Sequence, residues 1–330
     1  MKKEKSKKII MIVLTVLLSV VLLFIILITG LKLVDRIKYS SFYKLSQKEF
    51  AMPGKNSGFV GQGLDYVEEA NAFITCGYSA KKGQTAMVYL VDEKGNAKKT
   101  NLKNADGSNY VGHTGGIAHY REYFYVTGDD GCDVFLLSDL LEGKKETLKV
   151  GEVKTFNDPA YCNVHNGKFY AGSFYRKGNY ETPEWQRMIT PVGDKNKAVI
   201  TVFGINDGDS ENFYISEKPI AAYSTTGLVQ GMTFNGSQMI LSLSYGLATS
   251  HLNFYDTSSI VGGEITIDGS NVPLFYLDSS CLTRSVEAPP MSEEIVYKDG
   301  RIYIMNESAS NKYIFGKFTS GNYLLSWKAE

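Results

Sequence analysis

The chain has 330 residues, with 35 Lys and Arg against 35 Asp and Glu, and so a formal net charge of zero. That balance, with no Lys/Arg-rich run beyond the N-terminus, argues against a nucleic-acid partner. Aromatic content is high, 22 Tyr and 17 Phe, which leans toward half-buried pleated structure.

The first residues, MKKEKSKK, form a basic tail over 1–8. Ile9 to Leu31 then run for 23 residues without a charge. At about 1.5 Å per residue such a helix spans a hydrocarbon core of about 30 Å. The run exceeds a signal-peptide core of about 7–15 residues, and no A-x-A-like site follows it. It reads as an uncleaved signal anchor at the cell membrane. The Lys cluster marks a cytoplasmic N-terminus and places the C-terminal domain outside the cell, in a single-pass protein. Residues 32–57 read as a juxtamembrane stalk, and 58–330 as the extracytoplasmic domain. Cys76, Cys132, Cys162 and Cys281 lie in that domain. Their even number permits disulfides there, and small buried thiols are the alternative. With no CxxC pair, a thiolate zinc site has no local support.

Five segments repeat one pattern: a short apolar strand, a polar turn and a second alternating strand. They begin at Gln62, Gly115, Ala160, Gln230 and Glu293. His165-Asn166-Gly167, Asn235-Gly236 and Asp299-Gly300 are hairpin signals. Further strands follow each unit, about four in all, which is the make-up of a propeller blade. Equivalent positions fall at Gly63, Gly116, Tyr161, Gly231 and Glu294, at spacings of 53, 45, 70 and 63 residues. The expected fold is an all-β, five-bladed β-propeller with inserts in the third and fourth blades, preceded by one transmembrane helix. A sixth blade would have to lie cryptically within 190–225.

In propellers the innermost strand of each blade starts near one mouth of the central channel, and the loops after the second strands open there too. This places Gln62, His113, Asp158, Gln230, Glu293 and Glu294 at strand starts. Tyr78, Asp129, Asp130, Tyr175, Arg176, Tyr245, Glu307 and Ser308 fall on the loops. Amide, imidazole, carboxylate and guanidinium groups converging on one concavity make the default form of a small-ligand site. The ligand-binding candidates are therefore Gln62, His113, Asp158, Arg176, Gln230, Tyr245, Glu293, Glu294 and Glu307. No cofactor is required by the sequence. A channel divalent cation would use Glu293, Glu294 and Asp158. The four His show no metal-ligand spacing, and no G-x-S-x-G, H-E-x-x-H or Walker loop occurs. No catalytic residue is assigned.

The stretch 229-VQGMTFNGSQMILSLSYGLATSHLNFYD-256 resembles the plant-type glutaminyl cyclotransferases. Gln230, Gly231, Tyr245, Gly246 and Ser250 match residue types of that family's strand and loop motif. The resemblance implies a five-bladed propeller and covers one blade. The family's loop Glu falls near Leu241, which can move no proton. Three readings of function follow: a membrane-anchored propeller that binds an extracytoplasmic small ligand or protein at its channel mouth, a propeller enzyme (cyclotransferase-like, lyase or hydrolase), and a cell-envelope scaffold.

Overall fold

The computed structural model describes residues 2–208, 210–260, 262–319 and 321–329. It opens with α1 (Lys2–Lys38), whose apolar stretch is exposed along almost all of its length. This helix is long and apolar enough to cross a membrane, with a mean hydropathy of 3.4 over its most apolar 18 residues. A short helix α2 (Ser40–Leu45) and strand β1 (Ser46–Ala51) follow.

The first blade is β2 (Phe59–Val67), β3 (Ala72–Ser79), β4 (Met87–Asp92) and β5 (Ala97–Lys103). The second is β6 (Ile117–Tyr120), β7 (Tyr123–Thr127) and β8 (Gly131–Leu136), then α3 (Leu137–Leu141), β9 (Glu146–Leu148) and β10 (Gly151–Lys154). Of these, β10 completes the second blade, whereas β9 steps back to pair in parallel with β5. The third blade holds β11 (Pro159–His165) and β12 (Lys168–Ser173). A small ribbon of β13 (Met188–Ile189) and β14 (Lys195–Asn196) interrupts it before β15 (Ala198–Ile205) and β16 (Ile215–Thr225). The fourth holds β17 (Val229–Asn235), β18 (Gln238–Leu243) and β19 (Ser250–Asp256). The hairpin β20 (Gly262–Ile267) and β21 (Ser270–Tyr276) leaves it to extend the third blade, and β22 (Leu282–Ala288) closes it. The fifth is β23 (Ser292–Lys298), β24 (Arg301–Asn306) and β25 (Tyr323–Lys328), with β1 as its outer strand.

The five-bladed expectation therefore holds, and no blade is hidden in 190–225, where β15 and β16 are the outer strands of blade three. The long spacings come from the ribbon in blade three and from the excursion of β20 and β21. The stalk expectation needs correction over its C-terminal half. Ser46–Ala51 pairs antiparallel with β25, so the propeller is closed by a strand from before its first blade. Pairing a strand from before the first blade with the last strand of the chain ties the two ends of the propeller together in one blade. The end of α1 is tied down as well. Tyr39 and Phe42 are buried in one apolar cluster with Ile240, Phe254 and Trp327. Burial of two such rings is worth about 1.5–3 kcal/mol each.

The core is a set of layers between blades. One cluster joins blades one and two around Ile74 and Phe124, and the next joins two and three around Tyr125 and Phe169. A third joins blades three and four around Tyr170 and Met232. Four and five meet at Phe254 and Ile304, and five and one at Met305 and Phe73. All four cysteines are buried free thiols.

Candidate functional site

Four of the five inner strands share one irregularity that builds the site. Alternate residues of a strand point to opposite faces, and an extra residue breaks that alternation. The ladder slips between Gly61 and Gly63, between Pro159 and Tyr161, and between Val229 and Gly231, leaving Gln62, Ala160 and Gln230 as the extra residues. In β23 it slips between Ser292 and Ile295, across Glu293 and Glu294. Leu228 and Met291, at the entries to β17 and β23, hold positive φ of 67° and 68°. Bulky residues adopt that conformation at a cost, and such strain gathers at functional sites.

At the mouth these strands enclose a cavity of about 740 Å³. Seven of the nine candidates line it: Gln62, His113, Asp158, Gln230, Tyr245, Glu293 and Glu307. Asp129 and Tyr78 line it too. Two candidates do not. Arg176 lies behind the wall, its guanidinium 3.9 Å from the centre of the Tyr245 ring. Glu294 is buried on the axis below the mouth.

The environment of Glu294 is complete. Its Oε2 accepts from the backbone N–H of Leu64 at 2.8 Å and of Ile117 at 2.9 Å. Its Oε1 accepts from the N–H of Cys162 at 3.2 Å. One carboxyl thus ties together the inner strands of blades one, two and three from a base on blade five. The glycines at the equivalent positions make room for it. A Cβ on Gly116 would sit 2.6 Å from Tyr161 Cα and 3.0 Å from Glu294 Oε1, and one on Gly231 would sit 2.5 Å from Glu294 Cα. Burial raises the pKa of Glu294 and the three N–H donors oppose that rise.

Glu293 faces the other way. Its side chain lines the cavity, is 3 % exposed, and has no hydrogen-bond partner among the described residues. Burial, then the charges of Glu307 and Glu294, push its pKa well up. Glu307 is the better-supported neighbour. Tyr78 Oη donates to its Oε1 at 3.2 Å, and Tyr313, whose Oη lies 3.2 Å from Tyr78 Oη, stands beside them. Burial nonetheless raises its pKa above the ordinary carboxyl value. Lys312 Nζ donates to Tyr78 Oη at 2.6 Å, and the Tyr78 ring stacks on His113 with centroids 4.8 Å apart. Burial, with Lys312 nearby, lowers the pKa of His113, so the imidazole is neutral near pH 7. Across the mouth, burial and then Asp129 and Asp130 raise the pKa of Asp158.

Lys312 and Tyr313 escape sequence reading because 312–318, rich in aromatic and aliphatic residues, reads as a strand. The structure instead places a 3-10 helix over Ile314–Phe318, which swings both residues to the mouth. The insert of blade three adds Phe174, Tyr180 and Gln186 to the wall, while Trp185 beside them does not reach it. Leu241 is fully buried within β18.

For metal, Glu293, Glu294 and Asp158 do not bring their oxygens together among the described residues. The group that does is Glu68, Glu69 and His119, on blades one and two, with ligand atoms within 4.8 Å of one another. Asp65 Oδ2 holds His119 Nδ1 at 2.6 Å. The two glutamates are solvent-exposed, where carboxylates commonly gather without an ion.

No protein-family model and no curated protein matches the chain. Solved structures do resemble it in fold. The Myxococcus xanthus glutaminyl cyclase aligns at a TM-score of 0.45 and 9 % identity, over 86 % of this chain and 94 % of that one. A protein described as a putative glucose dehydrogenase from Thermus thermophilus aligns at 0.43 and 9 %, over 85 % and 98 %. A chain of a nidogen/laminin complex aligns at 0.40 and 10 %, over 76 % and 73 %.

Proposed function

We propose that this protein is a membrane-anchored, extracytoplasmic propeller whose channel mouth binds a small cationic ligand, of the primary-amine or guanidinium class. The observation that carries the reading is the charge of the cavity wall. Asp129, Asp158, Glu181, Glu293 and Glu307 line it against a single ammonium, Lys312. Glu181 is already paired with Arg187 at 3.0 Å, and Glu307 accepts from Tyr78. Glu293 and Asp158 keep unspent acceptor capacity in a partly desolvated cleft. A cation that enters supplies the missing donors, and Gln62 and Gln230 orient it. Aromatic faces at Tyr78, Phe174 and Tyr245 suit the apolar stem of such a ligand. Calorimetry on the full chain with a diamine, a guanidinium compound and a dicarboxylate of equal length tests this. The cations are expected to bind and the dicarboxylate to fail, with Glu293→Gln weakening the cations at least tenfold. Equal binding of the dicarboxylate overturns the reading.

A second reading rests on Glu293 alone. A buried carboxyl whose pKa is raised by burial and by the neighbouring Glu307, in a cleft, is suited to general acid or base work. Turnover lost in Glu293→Gln while binding of the same compound persists would favour it over simple binding.

A further inference from the structure

We propose that a second cavity, at the junction of the anchor helix and the propeller, binds the phosphate of an anionic membrane lipid. This rests on the anchoring part of the functional reading and is independent of the mouth. The cavity measures about 760 Å³ and is lined by Lys32 and Arg36 of α1, Lys48 of β1, Lys55 and Lys317. Among the described residues no carboxylate lines it. None of the five cations makes a salt bridge among the described residues. Asp35 lies next to Arg36 in the chain and feels its charge, but its carboxylate accepts from Tyr43 Oη at 2.6 Å, and the Arg36 guanidinium lies 4.0 Å from the centre of that same ring. The ammonium groups are instead propped by other means. Lys48 and Lys55 share one aromatic neighbour, 4.8 and 5.8 Å from the centre of the Tyr323 ring. Lys317 Nζ donates to the backbone carbonyls of Ala309 and Lys55. Burial and the neighbouring Lys55 lower its pKa. Five like charges drawn together around a hollow, with backbone and ring as their supports, are short of one partner, an anion.

Position names the source of the anion. Lys32 follows directly on the apolar run that ends at Leu31, and Arg36 lies one turn further on the same helix face. At 1.5 Å per residue the two fall within about 8 Å of the run's end, which is the depth of a headgroup layer. The helix stays continuous through Lys38, and Tyr39 and Phe42 fasten it to the propeller, so Lys48, Lys55 and Lys317 are held at that same height. Polybasic pockets beside a transmembrane helix recognise lipid phosphates in this way, each cation adding about fivefold in affinity. Glycerol and acyl chains would run down the exposed apolar face of α1.

Full-length chain in a zwitterionic detergent, titrated with short-chain phosphatidylglycerol and followed by native mass spectrometry, tests the site. One phosphatidylglycerol per chain is expected, with phosphatidylcholine binding at least tenfold more weakly. Lys48→Gln with Lys55→Gln is expected to cost about 25-fold, and Lys317→Gln alone about fivefold, with unchanged melting temperatures. Equal binding of the two lipids overturns the proposal. So does loss on Lys5→Gln, Lys7→Gln and Lys8→Gln, which would put the lipid on the basic tail. Inorganic phosphate that competes at the lipid's own affinity overturns the lipid assignment. Carbonate extraction of membranes separates the two readings: release of the chain defeats the anchor, whereas retention without phosphatidylglycerol preference defeats this site alone.

Discussion

Glu293 and Glu294 are adjacent in the chain and share one β-bulge, yet they belong to two different regions. Glu294 reaches down into the ring of inner strands, where its two oxygens meet three backbone N–H groups. Glu293 turns up into the mouth, where no donor among the described residues meets it. Both are buried, and burial raises the pKa of both. The difference lies in what the surroundings supply. A buried carboxyl with full partners holds a structure together, and one without them is available to a ligand. Residue type and burial alone would assign the two the same role.

Removing the axis group should have the largest effect. Glu294→Ala strands three buried N–H groups and is expected to cost about 3–5 kcal/mol, seen as a large fall in the urea midpoint. Glu293→Ala should cost no more than about 1 kcal/mol by the same measure, since it strands no donor. An equal loss from both would erase the distinction. Next comes the space around the axis. Gly231→Ala puts a Cβ 2.5 Å from Glu294 Cα and is expected to cost about 2–3 kcal/mol. A tolerated alanine would mean that the ring is looser than described.

The pH dependence separates the pair further. A carboxyl whose folded pKa lies above its unfolded value binds more protons in the folded state. Its contribution is present below the ordinary value of 4.5 and is lost as pH rises toward the raised folded value. Stability should therefore decline above pH 4.5, and Glu293→Gln should flatten that decline and leave the protein more stable at about pH 8. Melting temperatures from about pH 4 to 8 check it. An unchanged slope in Glu293→Gln would assign the effect to Glu294, Glu307 or Asp158. The smallest effect is expected at Gln230. Gln230→Ala should change stability by less than about 0.5 kcal/mol and weaken cation binding about fivefold in calorimetry, as befits an orienting amide.

Much of this was open to sequence reading, and the residues show why. The five units are legible because their hairpin turns and alternating strands are local patterns. The positions used to phase them, Gly63, Gly116, Tyr161, Gly231 and Glu294, prove to be one ring on the axis. The mouth is legible because strand starts converge by the symmetry of the fold, which brought seven of nine residues to one cavity. What escaped is non-local. Ser46–Ala51 pairs with a strand at the far end of the chain, and β21 with a strand of the preceding blade. Neither pairing leaves a mark in neighbouring residues. The opposed directions of Glu293 and Glu294 were hidden as well, because a bulge is a matter of register and two glutamates in a row do not announce it.

The most direct test of the account is the proton balance of cation binding. A diamine seated against Glu293 favours its ionised form, so binding should release a proton and tighten as pH rises from about 5 to 8. Calorimetry of the full chain in buffers of different ionisation enthalpy reads both quantities. The account predicts proton release and rising affinity in the natural chain, with both lost in Glu293→Gln. Binding without proton exchange, at an affinity that pH and Glu293→Gln leave unchanged, would contradict it.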